Sequence, residues 1–124
     1  MKVLDLFIEP ANTPVTMHAK PNDDVLSYTV FIRKWVIGGQ GSETVGTWFP
    51  DELESEAGAS MTLGAELGYD FILMASVNPK AQAAISIDLS FSAPGAGSFD
   101  KPVALPSSEG PIVARAWKVV IKKS

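Results

Sequence analysis

The chain has 124 residues, 46% of them hydrophobic and 19% charged, and a formal net charge of −4. That length suits one domain able to fold without a disulfide or a metal, and the composition is too apolar for a disordered chain. Cysteine is absent, which excludes a disulfide scaffold and every thiolate site, and the negative balance disfavours nucleic acid and anionic lipid as partners.

The opening MKVLDLFIEP alternates in polarity and is broken by Asp5 and Glu9, unlike the uncharged core of a secretory leader. No window approaches the roughly eighteen uninterrupted apolar residues of a membrane span. These features lead to the expectation of a soluble, cytoplasmic protein. Residues 2–9 read as a first strand with Leu4, Leu6 and Ile8 on one face, and VTMHA (15–19) as a short second one. In VTMHA the single histidine, His18, falls on the face opposite Val15 and Met17. One histidine builds no cluster, and no GxSxG surrounds any serine. SYTVFIRKWVI (27–37) is long and rich in aromatic and β-branched residues, and ETVGTWF (43–49) is a shorter strand candidate. Between them GGQG lacks the ending of a phosphate loop and reads as a turn.

Trp48 and Phe49 are followed by Pro50 and then Asp51, Glu52, Glu54 and Glu56, with no base among them. Proline at a first helical position followed by acids predicts one short helix over 50–57, stopped by Gly58. YDFILMASV (69–77) is apolar on both faces and suits a central strand. AAISIDLSFSA (83–93) alternates cleanly, with Ile85, Ile87, Leu89 and Phe91 on the dry face. PVAL (102–105) and VARAWKVVI (113–121) complete the set, the latter with Val113, Arg115, Trp117, Val119 and Ile121 on one face. About eight short strands separated by proline- and glycine-rich turns predict an all-β, single-domain antiparallel β-sandwich spanning 1–124, Greek-key or jelly-roll-like, with a small barrel as the alternative.

Charge is distributed unevenly. From Trp35 to Pro79 there are seven acids and no lysine or arginine, whereas after Glu109 there are only bases: Arg115, Lys118, Lys122 and Lys123. The acids of 51–56 could flank a sugar beside an aromatic, but glycosidase carboxylates come from separate strands. The Asp23–Asp24 pair and the 51–56 run lack the spacing of a calcium loop. The expectation is therefore a non-enzymatic protein with no cofactor and no metal site. It would act by binding or self-assembly through a loop-end surface of Trp48, Phe49, Asp51, Glu52 and Glu54, with Gln40 and Ser42 as polar contributors. Arg115, Lys118 and Lys122 would form the complementary basic surface of a homo-oligomer, and Lys122 and Lys123 would guard the last strand as a sheet edge. The alternative is a carbohydrate-binding module or lectin with Trp48 as its stacking platform and a glycan as ligand.

VIGGQG (36–41) and AELGYDFILMASVN (65–78) resemble segments of a bacterial inclusion-body protein family, small cytoplasmic β proteins with a Gly-Gln-Gly turn and an Ala-x-x-Gly-Asp strand start. The resemblance covers under a fifth of the chain, and Tyr69 stands between the glycine and the aspartate. It implies a structural, assembling role as a further alternative and transfers no residue roles.

Overall fold

A computed structural model describes residues 3–8, 14–36, 41, 43–62, 67–92 and 102–121. Among them, nine strands form the two sheets of an all-β sandwich. They are β1 (Val3–Ile8), β2 (Pro14–Pro21), β3 (Val25–Val36), β4 (Glu43–Trp48), β5 (Ala59–Thr62), β6 (Leu67–Val77), β7 (Ser86–Ser92), β8 (Val103–Ala104) and β9 (Ile112–Ile121). One sheet has the order β1-β9-β6-β3-β4 and the other β5-β2-β7-β8. Consecutive strands mostly cross between sheets, and only β3–β4 and β7–β8 stay within one. The barrel alternative falls, because the two sheets are separate.

The strand expectations hold along the chain, with three corrections. β5 was not anticipated; at four residues, ASMT offers one buried alanine and one half-buried methionine, too little alternation to recognise. β1 runs parallel to β9, so that one pair departs from an antiparallel plan. β9 is therefore flanked on both sides, by β1 and β6, and is not the edge that Lys122 and Lys123 were expected to guard. The remaining strand pairs are antiparallel.

The core lies between the sheets. Val15, Met17 and Ala19 from β2 and Ile87 and Leu89 from β7 face Val30 and Ile32 from β3, Phe71 and Leu73 from β6, and Val113 and Val119 from β9. These are the alternate residues of each strand, the period-2 pattern that puts one set of side chains on each face. A chain of rings crosses the core: Trp48 meets Phe71 at 5.6 Å and Phe71 meets Phe91 at 5.6 Å, both tilted, as aromatic quadrupoles prefer. β6 is the middle strand of the larger sheet, as its apolar character on both faces predicts.

Candidate functional site

The Trp48 loop end comes first. The helix there, α1 (Pro50–Leu53), is one turn long and ends at Glu54, short of the expected 57. Leu53 is fully buried and pins it to the sandwich. Asp51, Glu52, Glu54 and Glu56 are exposed around that pin. Ser55 takes over where the helix stops: its hydroxyl donates to the Glu52 carbonyl at 2.7 Å and accepts from the Gly58 N–H at 3.0 Å. A shorter hydrogen-bonded turn thus replaces the second helical turn.

Trp48 points the other way. It is only 5% exposed and packed on Phe71. A buried indole cannot stack on a ligand, so the expected aromatic platform at this position is corrected. The exposed ring is Phe49, at 52%. Glu54 has a structural partner: the buried Tyr28 donates its hydroxyl to Glu54 Oε2 at 2.8 Å. Burial first, and the Glu54 hydrogen bond and charge after it, push the Tyr28 pKa well above its ordinary value. Gln40 and Ser42 lie outside the described residues, as does Lys122.

The expected basic surface also changes. Arg115 lies on the inward face of β9 between Val113 and Trp117, and its side chain is 11% exposed. Its guanidinium donates to both oxygens of Glu109, Nη1 to Oε1 at 3.0 Å and Nη2 to Oε2 at 2.6 Å. That fork holds the Glu109 carboxyl below its ordinary range and raises Arg115. Glu109 closes a 3-10 turn, η1 (Ser107–Glu109), in a segment whose sequence reads only as a turn. Arg115 is thus neutralised within the molecule and is no complement for another acid. Asp24 is likewise engaged, accepting from Asn78 Nδ2 at 3.0 Å and so tying the β2–β3 turn to the β6–β7 turn.

Two surfaces remain. On the outer face of the four-stranded sheet, a groove of about 440 Å³ is lined by His18, Lys20, Asp88, Ser90 and Pro102. Register sets His18 beside Ser90 and Lys20 beside Asp88. His18 lies on the polar face, as its place in the alternation predicts, and its Nε2 donates to the Glu56 carbonyl at 3.0 Å.

The outer face of the five-stranded sheet is different. Register aligns Phe31, Ile72 and Ala116 in one row, and Thr29, Met74 and Ala114 in the next. Ser76 and Ile112 end the face. Met74 is 40% and Ile112 59% exposed. Phe49 stands at the β4 edge of the same sheet, one residue past its end. Below this apolar block lies the row Arg33–Asp70–Lys118 on three adjacent strands, with Asp5 of β1 next in register. A final row carries Trp35 over Gly68, where a Cβ would stand 2.2 Å from the indole. The Lys118 ammonium lies 5.9 Å from the centre of that ring. Trp35 Nε1 is buried and has no hydrogen-bond partner. The sequence signal for this face was β6, apolar on both sides. A strand needs one apolar side to form the core and the second for something else.

Among the described residues no helix is long and apolar enough to cross a membrane. Comparison with protein-family models, with curated proteins and with solved structures found no match.

Proposed function

We propose that the protein is a non-enzymatic cytoplasmic interaction module that binds a protein partner through the outer face of its five-stranded sheet. One observation carries this reading: Phe31, Ile72, Met74, Ala114, Ala116 and Ile112 form a contiguous outward apolar layer on neighbouring strands. An antiparallel sheet with one face on the core ordinarily turns polar side chains to water. Contiguous exposed apolar area rimmed by charge is the anatomy of a binding surface. Phe49 and the acids around α1 extend that rim at the β4 edge, which retains part of the expected loop-end surface without Trp48.

The test is a photo-cross-linking amino acid placed at position 74 or, as control, at 88 on the opposite outer face, with illumination in extracts of cells producing the chain. A protein adduct from position 74 and none from 88 is expected. No adduct from 74, or equal adducts from both, would sink the assignment.

The carbohydrate alternative now rests on the polar groove, whose hydroxyl, imidazole, ammonium and carboxylate groups match a polyhydroxylated ligand. A glycan panel that perturbs His18 resonances in the wild type, and not after Lys20→Ala with Asp88→Ala, supports it; silence across the panel removes it.

A further inference from the structure

We infer that the partner of the five-stranded sheet's outer face is a second copy of this chain, related by a two-fold axis running along the strands between β6 and β9. The inference rests on the apolar face being an interaction surface and adds the identity of its occupant.

The argument is self-complementarity. A two-fold axis in the plane of contact, parallel to the strands, lays β6 of one copy over β9 of the other, and the reverse. Each row then meets its own mirror order. In the apolar rows β6 is large where β9 is small. Ile72 is paired in register with Ala116, and Met74 with Ala114. Across the axis Ile72 would therefore seat on the second copy's Ala116, and Met74 on its Ala114. At the end of the face the order reverses: the exposed Ile112 would cover the second copy's Ser76. In the charged row Asp70 is registered with Lys118. The axis sets Asp70 against the second copy's Lys118, and by symmetry Lys118 against its Asp70. Large meets small and acid meets base in consecutive rows under one operation, whereas β6 on β6 would set Asp70 against Asp70 and bulk against bulk.

The Lys118 ammonium lies 5.9 Å from the centre of the Trp35 ring, a contact it would exchange for the second copy's Asp70. The overlapping face is smaller than the whole sheet. Under this axis β4 has no mate, and four strands about 4.8 Å apart, over roughly 27 Å of β6 from Gly68 to Ser76, present at most about 520 Å² of flat sheet. That lies at the low end of specific interfaces, below the ~800 Å² a side of the standard size, before side-chain relief is added. Stacked sheets rotate by about 30°, so the rows nearest the axis, on β6 and β9, carry the matching.

The experiment is solution mass by light scattering on the purified full chain, across a hundredfold concentration range. Wild type should reach twice its 13.2 kDa mass. Asp70→Lys and Lys118→Asp, which place like charges in contact, should each weaken the dimer about tenfold or more. Mixed in equal amounts, the two variants should recover it as a heterodimer, because each then supplies the charge the other lacks. Far-UV circular dichroism matching wild type, with a cooperative melt, excludes a folding defect in each variant, while the melting point itself falls with the lost dimer. A wild-type monomer at every concentration, or variants that dimerise as well as wild type, overturns the inference. Failure of the interaction reading itself is seen separately. An adduct from position 74 to a different protein leaves that reading standing and removes only the second copy, whereas no adduct at all removes both.

Discussion

The two sheets share one core and differ on the sides they turn to solvent. Behind β2 and β7 stand Thr16, His18, Lys20, Asp88 and Ser90; behind β6 and β9 stand Ile72, Met74, Ala114 and Ala116, with Asp70 and Lys118 at one end and Ser76 and Ile112 at the other. Both sheets obey the same alternation, so the folding requirement is met equally by each. Water accounts for the polar set. The apolar set is half-buried by its own cross-strand pairing, yet it leaves Met74 and Ile112 exposed. The difference is what the proposed interaction surface rests on.

Both faces also seat a ring on a glycine, and this gives the sharpest way to break the comparison. Gly58 has φ +75°, and a Cβ there would stand 2.7 Å from His18 Nε2 and 2.9 Å from the Met17 carbonyl oxygen. The backbone cannot yield, and the positive φ strains any other residue. Gly58→Ala should cost about 2–3 kcal/mol in denaturant unfolding. Gly68 lies in an ordinary strand conformation, and the atoms nearest to its Cβ would be those of the Trp35 side chain, which can move aside. Gly68→Ala should cost less, about 1–2 kcal/mol. Its mark is a red-shifted tryptophan emission, because Trp48 and Trp117 stay buried while Trp35 is displaced. If the two variants lose equal stability, or Gly68→Ala leaves the emission unchanged, the two glycines do not differ as described.

Much of this architecture was legible in the chain. Alternation placed eight of the strands, and β6 announced its central position by being apolar at both parities. β5 was too short to carry a period, and the parallel β1–β9 pair depends on a contact between the two ends of the chain that no local pattern encodes. The site was read less well. Trp48 and the acids adjoin in sequence, and their adjacency suggested one surface. A strand's last inward residue and the first outward residues of the next turn are neighbours in sequence whose side chains point in opposite directions. Burial divides them: Trp48 joins Phe71, while among the acids' own turn only Leu53 is buried. Arg115 was misjudged in the opposite sense. Its inward parity was visible, but its partner Glu109, on a turn six residues earlier, was not. The apolar outer face, by contrast, needed only the register between three strands.

The polar groups turned inward extend the comparison, because both belong to the five-stranded sheet. Tyr28→Phe removes the hydroxyl bond to Glu54 and should cost about 1 kcal/mol at neutral pH. The pH dependence reports on the burial of Tyr28 first and on its Glu54 bond second. The folded Tyr28 pKa lies above the ordinary 10.0, so its contribution is complete below that value and is lost as pH rises past it, when the unfolded chain ionises first. Wild type should therefore lose stability on the alkaline side faster than Tyr28→Phe, and the two should converge there. Parallel curves would mean that neither burial nor the Glu54 bond raises the Tyr28 pKa in the folded chain.

Arg115 with Glu109 is the smallest effect and has the opposite sign in pH. The Arg115 hydrogen bonds hold the Glu109 carboxyl below its ordinary 4.5, so stability from the pair is present above that value and is lost as pH falls through the lower folded value. Glu109 is open to water, so much of the attraction is screened and the loss on Glu109→Gln at neutral pH is slight. What remains comes from Arg115, which sits on the core side of β9 between Val113 and Trp117 and must satisfy a charge there. Glu109→Gln should melt below wild type at neutral pH and coincide with it in acid, where wild type has protonated the same carboxyl. Arg115→Met, which removes the charge while keeping an unbranched apolar stem against the core, should show no such convergence and a flatter acid limb. If Glu109→Gln and wild type stay separated at every pH, the fork is not what holds Arg115. The bases of β9 would then again be available to an outside acid, as the charge split along the chain first suggested.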